Sequence, residues 1–269
     1  MEWHITRGTG LGDVLCSVGL AREYHRAFPN ENIRMFEFPA PEVLRGIQWL
    51  GVGNKDNGIR LDLHMNGATA GGIVRDMARQ TIERTRIPFE VEDDRPMIVL
   101  EKSEIEAFGR YKGWIAIDTY ANNPVRLWPY AYWIRLSEAL MDEGWKVLEI
   151  GGNRKRTPVE QSIPFPCTES LFGKCSIRES ASVLANCALL VGSDTGSAHL
   201  AAAVGTRHVT LYAAKRPYPH EYPTSISISS PRACENRCWV RPAACLFNPT
   251  CIEEIRLETV YKAVKGALA

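Results

Sequence analysis

A run of residues suited to binding an anion lies in VGSDTGSAHLAAAVGT, residues 191–206. Its hydroxyl-bearing and acidic residues can cap a helix, and its glycine permits a tight entry into that helix. The first backbone amides of a helix have no intrahelical acceptor, so they attract phosphate groups. The stretch is therefore either a plain strand-to-helix corner or a phosphate-binding site. The residues that would form the site are Ser193, Asp194, Thr195, Gly196 and His199.

A glycine-rich turn, GTGLGD, occupies residues 8–13. Glycines such as Gly12 let a ligand approach the backbone closely, and Asp13 opens the helix that we predict after the turn. The spacing differs from the dinucleotide-binding fingerprint, and no lysine follows as it does in a P-loop. Asp13 is thus either a helix cap or a carboxylate that projects into a cleft, where it is available as a general base.

An arginine precedes a tryptophan–proline pair in NPVRLWP, residues 123–129. Arg126 lies on the loop after a predicted strand and just before a predicted helix. Its guanidinium can grip a phosphate through two hydrogen bonds. The alternative is a surface arginine beside a structural tryptophan, Trp128.

Four of the eight cysteines follow one another closely near the C-terminus, with the spacing C-x3-C-x6-C-x5-C. Four thiolates on a short irregular stretch can bind zinc or iron tetrahedrally. The spacing differs from that of a standard zinc ribbon, so unliganded thiols or a single disulfide are the alternative. The candidate ligands are Cys234, Cys238, Cys245 and Cys251.

The elements that must position these residues alternate between apolar runs and helical patterns, which predicts an α/β protein with parallel sheets. The predicted strands are residues 2–6, 32–36, 59–63, 114–118, 145–150, 188–191 and 208–212. The predicted helices are residues 13–27, 42–50, 129–143, 176–186 and 258–268. Because functional loops follow strands at their carboxyl ends in such sheets, both candidate turns would face a common cleft.

Length and composition limit the classes of protein that remain. A chain of 269 residues suits two domains, and we place the boundary at 111–113, giving domains 1–111 and 112–269. The net charge of +1 argues against nucleic acid or an anionic membrane as a partner. The sequence has neither an apolar run that would span a bilayer nor a signal peptide at its start, so we expect a cytoplasmic protein.

Four segments together resemble glycosyltransferase family 9, the ADP-heptose:lipopolysaccharide heptosyltransferases. They begin with GTGLGDVLCSVGL, VRLWPYAYWIRL, VLANCALLVGSDTGSAHL and CENRCWVRPAAC, and their order agrees with that family. The resemblance implies a GT-B fold: two Rossmann-like domains face a central cleft, and a nucleotide sugar binds mainly to the second. Many members also carry a cysteine-rich segment before the last helix.

The resemblance also implies roles for individual residues. Asp13 matches the proposed general base, and Arg126 matches a basic residue that contacts the donor phosphate. The segment from Asp194 to His199 matches the cradle of the diphosphate, and Gly12 and Ser193 would adjoin it. The reaction inverts the anomeric centre without a catalytic metal, so zinc or iron on the cysteines would be structural.

The implied reaction is transfer of a sugar from a nucleotide diphosphate sugar such as ADP-heptose to an acceptor hydroxyl. Heptose is the first candidate for that sugar. The acceptor would be a glycan, a lipid-linked molecule or a protein, held mainly by a shortened N-terminal domain. Lipopolysaccharide biosynthesis would place the protein in the cytoplasm or against the inner membrane face. Two alternatives stay open: a GT-B protein that binds nucleotide sugars without catalysis, and a nucleotide-sugar epimerase.

Overall fold

The computed structural model describes most of the chain. It covers residues 2–7, 10–36, 40–52, 59–62, 72–152, 163–213, 222–230 and 250–269, with only the backbone of residues 2–7, 36 and 59–62. In these residues every strand pairing is parallel, which confirms the predicted α/β class.

The first sheet lies in the N-terminal part of the chain and has the strand order β3-β2-β1-β4. Its strands are β1 (Glu2–Arg7), β2 (Ile33–Phe36), β3 (Leu50–Val52) and β4 (Ile59–Asp62). Helix α1 (Leu11–Ala27) connects β1 to β2, and α2 (Ile73–Thr85) follows β4. This is the βαβ arrangement that parallel strands require.

Two details of this part correct the sequence predictions. Helix α1 begins at Leu11, two residues before the predicted start, so Asp13 lies inside the first turn and Gly10 occupies the cap position. The predicted helix 42–50 is wrong. Only a 3-10 turn, Pro41–Leu44, forms there, because Gly46 adopts a left-handed φ of +90° and the chain then enters β3.

An extended segment, residues 86–101, runs along α1 before the short helix α3 (Lys102–Glu106). The amide of Met97 donates to the carbonyl of Leu15 at 3.0 Å, and the amide of Glu92 donates to the buried carboxylate of Glu23 at 2.9 Å. A Cβ at Gly19 would lie only 2.5 Å from a carbonyl oxygen of this segment. The segment is therefore packed directly onto the helix.

The second sheet has the order β10-β9-β8-β5-β6-β7. Its strands are β5 (Ile115–Asp118), β6 (Val147–Ile150), β7 (Glu169–Ser170), β8 (Leu189–Ser193), β9 (His208–Tyr212) and β10 (Ser225–Ser229). Its helices are α4 (Tyr130–Asp142), α5 (Ile177–Asn186), α6 (Gly196–Val204) and α7 (Leu257–Leu268). This is the order of a doubly wound Rossmann sheet, whose switch point lies between β5 and β8.

One apolar core is shared by the two parts of the chain. It contains Val14 and Val18 of α1 together with Leu200 and Ala201 of α6. A second core fills the opposite face of the second sheet and includes Trp133 of α4. The close packing of α1 on α6 brings the N-terminal turn of one helix to that of the other.

A buried arginine of α5 provides a polar connection between the same two parts. Arg178 Nε donates to Glu104 Oε1 at 2.8 Å, while Nη2 donates to Glu104 Oε2 at 2.5 Å and to the carbonyl of Val99 at 2.8 Å. Nη1 donates to the carbonyls of Glu42 and Arg45 at 3.1 and 3.3 Å. We call this group the Arg178 clamp, because its acceptors all come from residues 42–104.

Candidate functional site

The switch point of the second sheet is where a doubly wound fold opens a crevice for a ligand. Asp118, the last residue of β5, pairs in register with Gly192 of β8. The chain continues from β5 toward Arg126 and from β8 into α6. The two candidate phosphate-binding segments of the second sheet therefore start from adjacent strand ends.

The start of α6 is held in place by a buried carboxylate. Thr195 occupies the cap position, but no side chain caps the helix; its hydroxyl donates instead to Asp118 Oδ2 at 3.1 Å. The Ser197 side chain also hydrogen-bonds to Asp118. The α6 amides therefore point from a fixed turn toward the crevice, which is the arrangement an anion site needs.

Asp118 is a residue of the site that was not predicted from the sequence. Burial raises the pKa of its carboxyl, and hydrogen bonds from Ser197, the Tyr120 amide and Thr195 oppose that rise. The sequence carried a usable signal, because an acidic side chain that ends a buried strand requires polar partners. The sequence does not reveal which residues those partners are, because Thr195, for example, lies 77 residues away along the chain.

Arg126 lies at the same edge, on a well-fixed turn. Asn123 Oδ1 accepts a hydrogen bond from the amide of Val125 at 3.2 Å in the 3-10 turn Pro124–Arg126. Trp128 is buried and donates through Nε1 to a carbonyl oxygen at 2.8 Å, so it is structural. Arg126 Nη1 donates to the carbonyl of Asp194 at 2.9 Å and lies 3.4 Å from Asp194 Oδ2.

The ion pair with Arg126 determines how the negative charge of Asp194 affects the site. The Asp194 side chain is only 4% exposed, whereas that of Arg126 is 25% exposed. The neighbouring cation offsets the negative charge that Asp194 would otherwise bring to an anion site. The partly exposed guanidinium retains further donors that can face the crevice.

Several buried polar atoms at this edge lack a hydrogen-bond partner within the described residues. They are Thr119 Oγ1 after β5, Ser193 Oγ at the end of β8, and Arg126 Nε. Leaving a buried polar atom unsatisfied costs about 1–3 kcal/mol, so such atoms usually meet water or a ligand. Their concentration beside the α6 N-terminus indicates a binding site for a polar molecule.

The first turn of α1 contacts the first turn of α6 directly. A Cβ at Gly12 would lie 2.4 Å from His199 Cδ2 and 2.5 Å from His199 Nε2. A Cβ at Gly196 would lie 2.9 Å from that of Leu11. Only glycine fits at these two positions, and this close approach unites the predicted N-terminal and C-terminal site residues.

Asp13 lies on this contacting turn and is partly exposed. A Cβ at Gly10 would lie 3.1 Å from Asp13 Oδ2, so the carboxylate folds back over the start of α1. A negative charge in the first turn is stabilised by the helix dipole. The Asp13 carboxyl group therefore lies beside the turn that meets His199.

The cysteine-rich segment lies almost wholly outside the described residues. Cys234, Cys238 and Cys245 fall there, whereas Cys251 is buried at the start of the 3-10 turn Cys251–Glu254. Among the residues with described positions, no cluster of three or more potential ligands is placed to hold a metal ion. None of the helices in these residues is long and apolar enough to cross a membrane.

The two parallel sheets and the contact between α1 and α6 define a protein of the GT-B class, and solved structures have the same fold. Escherichia coli heptosyltransferase WaaC, solved with ADP-2-deoxy-2-fluoro heptose, aligns with a TM-score of 0.69 and 14% identity over 99% of both chains. The iron-containing dodecameric glycosyltransferase TibC of enterotoxigenic E. coli aligns with a TM-score of 0.68 and 15% identity, over 99% of this chain and 75% of TibC.

The chain belongs to glycosyltransferase family 9, the heptosyltransferase family, whose model matches residues 87–236. Lipooligosaccharide heptosyltransferase 2 of Haemophilus influenzae is 33% identical over 101 residues. That match covers 35% of this chain and 29% of the relative, so it spans less than a third of the known enzyme. The family assignment agrees with the resemblance drawn from the sequence motifs.

Proposed function

We propose that this protein is an inverting glycosyltransferase that moves a sugar from an ADP-linked donor to an acceptor hydroxyl. The first candidate for the sugar is heptose. The observation that carries the proposal is the direct contact between the Asp13 turn of α1 and the His199 turn of α6. This contact supports a single site that would combine a proton acceptor with a diphosphate cradle. The heptosyltransferases among its relatives, one of them solved with an ADP-heptose analogue, support the choice of donor.

The donor diphosphate would bind at the carboxyl edge of the second sheet. Arg126 would donate to a phosphate oxygen, while Asp194 keeps its guanidinium in place. The first amides of α6 and the side chain of His199 would complete the cradle. The remaining contacts would come from the residues that line the turn: Gly12, Ser193, Thr195 and Gly196.

The transfer step follows from these roles. The acceptor oxygen attacks the anomeric carbon on the face opposite the diphosphate, and the bond to the diphosphate oxygen breaks. Asp13 takes the proton of the attacking hydroxyl, while ADP leaves with the bonding electron pair. Arg126 and the α6 dipole stabilise the negative charge that builds on the leaving group, so the reaction needs no catalytic metal.

The division of labour would follow the two sheets. Residues 112–269 would hold the nucleotide sugar, and residues 1–111 would supply Asp13 and contacts to the acceptor. The proposed acceptor is a hydroxyl-bearing glycan, lipid-linked or protein molecule. This arrangement explains why the base and the phosphate ligands come from distant parts of the chain.

A change at Arg126 tests the donor site. A nucleotide sugar at 100 times its dissociation constant stabilises a protein by about 2.7 kcal/mol, which a thermal-shift measurement detects. We expect ADP-heptose to stabilise the wild type and Arg126→Met to bind it about 10- to 100-fold more weakly, because a hydrogen bond to a charged group is worth about 1.5–3 kcal/mol. Arg135→Met, on the exposed face of α4, is the matched control. Equal affinity of the Arg126 and Arg135 variants would rule out the proposed phosphate contact.

We further propose a structural zinc or iron ion on Cys234, Cys238, Cys245 and Cys251. Cys251 is 4% exposed and is followed by Ile252 of the second core. This burial suits a ligand of a shielded structural ion. The iron-containing TibC provides a related case. Elemental analysis of protein purified without added metal should give about one ion per chain in the wild type and a clear loss in Cys251→Ser. A ratio near zero, with the thiols titrating, would remove the site.

A further inference from the structure

Two buried side chains that the proposed reaction leaves unused contact His199. Tyr222, the residue three positions before β10, places its hydroxyl 2.7 Å from His199 Nδ1. Cys16 of α1 places its Sγ 3.5 Å from the same hydroxyl and 3.9 Å from Nδ1. Both side chains are almost fully buried. The three groups form a polar cluster where α1, α6 and the start of β10 meet.

Burial determines which groups of this cluster keep a proton, and the distances indicate where those protons point. Burial raises the pKa of the Cys16 thiol to about 12. Burial also raises the pKa of Tyr222 well above its ordinary value. At neutral pH both groups therefore keep their protons. The phenol has a single hydrogen and two neighbouring acceptors, and its shorter contact, 2.7 Å to His199 Nδ1 against 3.5 Å to Cys16 Sγ, favours donation to the imidazole.

A consistent chain of donors follows from this assignment. In this arrangement the Tyr222 hydroxyl would donate to His199 Nδ1, and the Cys16 thiol would donate weakly to the Tyr222 oxygen. A neutral imidazole that accepts at Nδ1 carries its hydrogen on Nε2. That side of the ring, Nε2 and Cδ2, is the one that lies against Gly12.

We propose that Tyr222 is a positioning residue that fixes His199 in the tautomer protonated at Nε2, so that the ring offers a donor to the diphosphate of the nucleotide sugar beside the Gly12–Asp13 turn. The inference rests on the proposed function for the identity of the ligand. With the opposite tautomer, Nε2 would present a lone pair to an anion and repel it.

Local structure holds the backbone and the ring of Tyr222 in place. The Tyr222 amide donates to Ser225 Oγ at 3.0 Å, and the amide of Ser225 donates back to the Tyr222 carbonyl at 2.8 Å. The rings of Tyr222 and His199 meet edge to face, with centroids 5.8 Å apart. Because Tyr222 is fixed by two hydrogen bonds with Ser225 just before β10, its hydroxyl can select one tautomer of His199. A mobile hydroxyl would not.

Nitrogen-15 spectroscopy of the six histidines tests the assignment without any ligand. In wild-type protein near pH 8, we expect His199 to show a protonated Nε2 and an accepting Nδ1, with His199→Asn identifying its signals. In Tyr222→Phe, which removes only the hydroxyl, we expect a mixture of tautomers and roughly tenfold weaker binding of ADP. Tyr24→Phe, at a buried tyrosine of α1, should change neither quantity.

Each outcome bears on the proposal. A wild-type spectrum with the hydrogen on Nδ1, or an unchanged tautomer in Tyr222→Phe, would overturn it, as would an ADP affinity that stays at the wild-type level in that variant. The wild-type spectrum alone decides the tautomer if Tyr222→Phe does not fold. Failure of the wild type to bind ADP would overturn the proposed function and the ligand role together, and the ligand-free spectrum would still report the hydrogen bond.

Discussion

Replacing Asp13 with asparagine is expected to slow sugar transfer by about 10²- to 10⁴-fold, the usual contribution of a general base. The amide keeps the size and most of the polarity of the carboxylate but cannot take the proton of the acceptor hydroxyl. Asp13 lies in the first turn of α1, whereas Arg126, the main proposed phosphate ligand, lies on the second sheet. The affinity for the donor should therefore stay within about twofold of the wild type, since an affinity tenfold different would require about 1.4 kcal/mol.

The measurement is the rate of ADP release in the presence of acceptor, together with donor affinity from calorimetry. Asp142→Asn, at the exposed end of α4, is the matched control for loss of one negative charge. Transfer at the wild-type rate in Asp13→Asn would show that another group takes the proton. Loss of donor binding with no separate loss of rate would make Asp13 a ligand of the donor instead.

Replacing Arg178 with methionine is expected to have the largest effect on stability, about 3–5 kcal/mol. The change removes the donor of three carbonyl groups at about 1–3 kcal/mol for each unsatisfied group, whereas Glu104 keeps Arg45 as a partner. The Arg178 side chain is 6% exposed, and it donates to Glu104 and to three carbonyl groups at once. Urea unfolding measures the loss, and Arg135→Met serves as the control. A change below 1 kcal/mol would mean that the clamp contributes little to the fold.

The acid limb of the stability curve provides an independent check on the Arg178 clamp. Hydrogen bonds from Arg178 hold the pKa of Glu104 at about 2, against an ordinary value of 4.5. A lowered folded-state pKa means that the stabilisation is complete above about pH 4.5 and is lost as the pH falls toward 2. The stability difference between wild type and Glu104→Gln should therefore shrink over that interval. A difference independent of pH would exclude the ion pair as its source.

The parallel α/β architecture was legible in the sequence because buried parallel strands are continuous apolar runs that alternate with helical patterns. The helix predicted over residues 42–50 was wrong although PEVL and IQWL carry apolar residues at helical spacing. The left-handed Gly46 between them separates a turn from a strand. Helix α2 was not predicted, although its apolar side chains at Ile73, Val74 and Met77 have helical spacing in the sequence.

Only part of the candidate site could be predicted from the sequence, because local motifs record some of its residues and not their distant partners. Asp13, Arg126 and His199 stand in local patterns of turn and helix start, which short motifs record. Their supporting partners come from remote positions: Tyr222 meets Cys16 across 206 residues of chain. Such contacts follow from strand order and helix packing, which no local pattern specifies.

The most direct test of the central claim is an assay of wild-type protein with ADP-heptose and a panel of hydroxyl acceptors: truncated lipooligosaccharide, small glycans and peptides. Mass spectrometry and release of ADP would be followed together. We expect one acceptor to gain a single heptose with inverted anomeric configuration, at a rate matched by the release of ADP. Tight binding of ADP-heptose without consumption on any acceptor would contradict it and favour a binding protein. Conversion of the donor sugar without an acceptor would favour an epimerase.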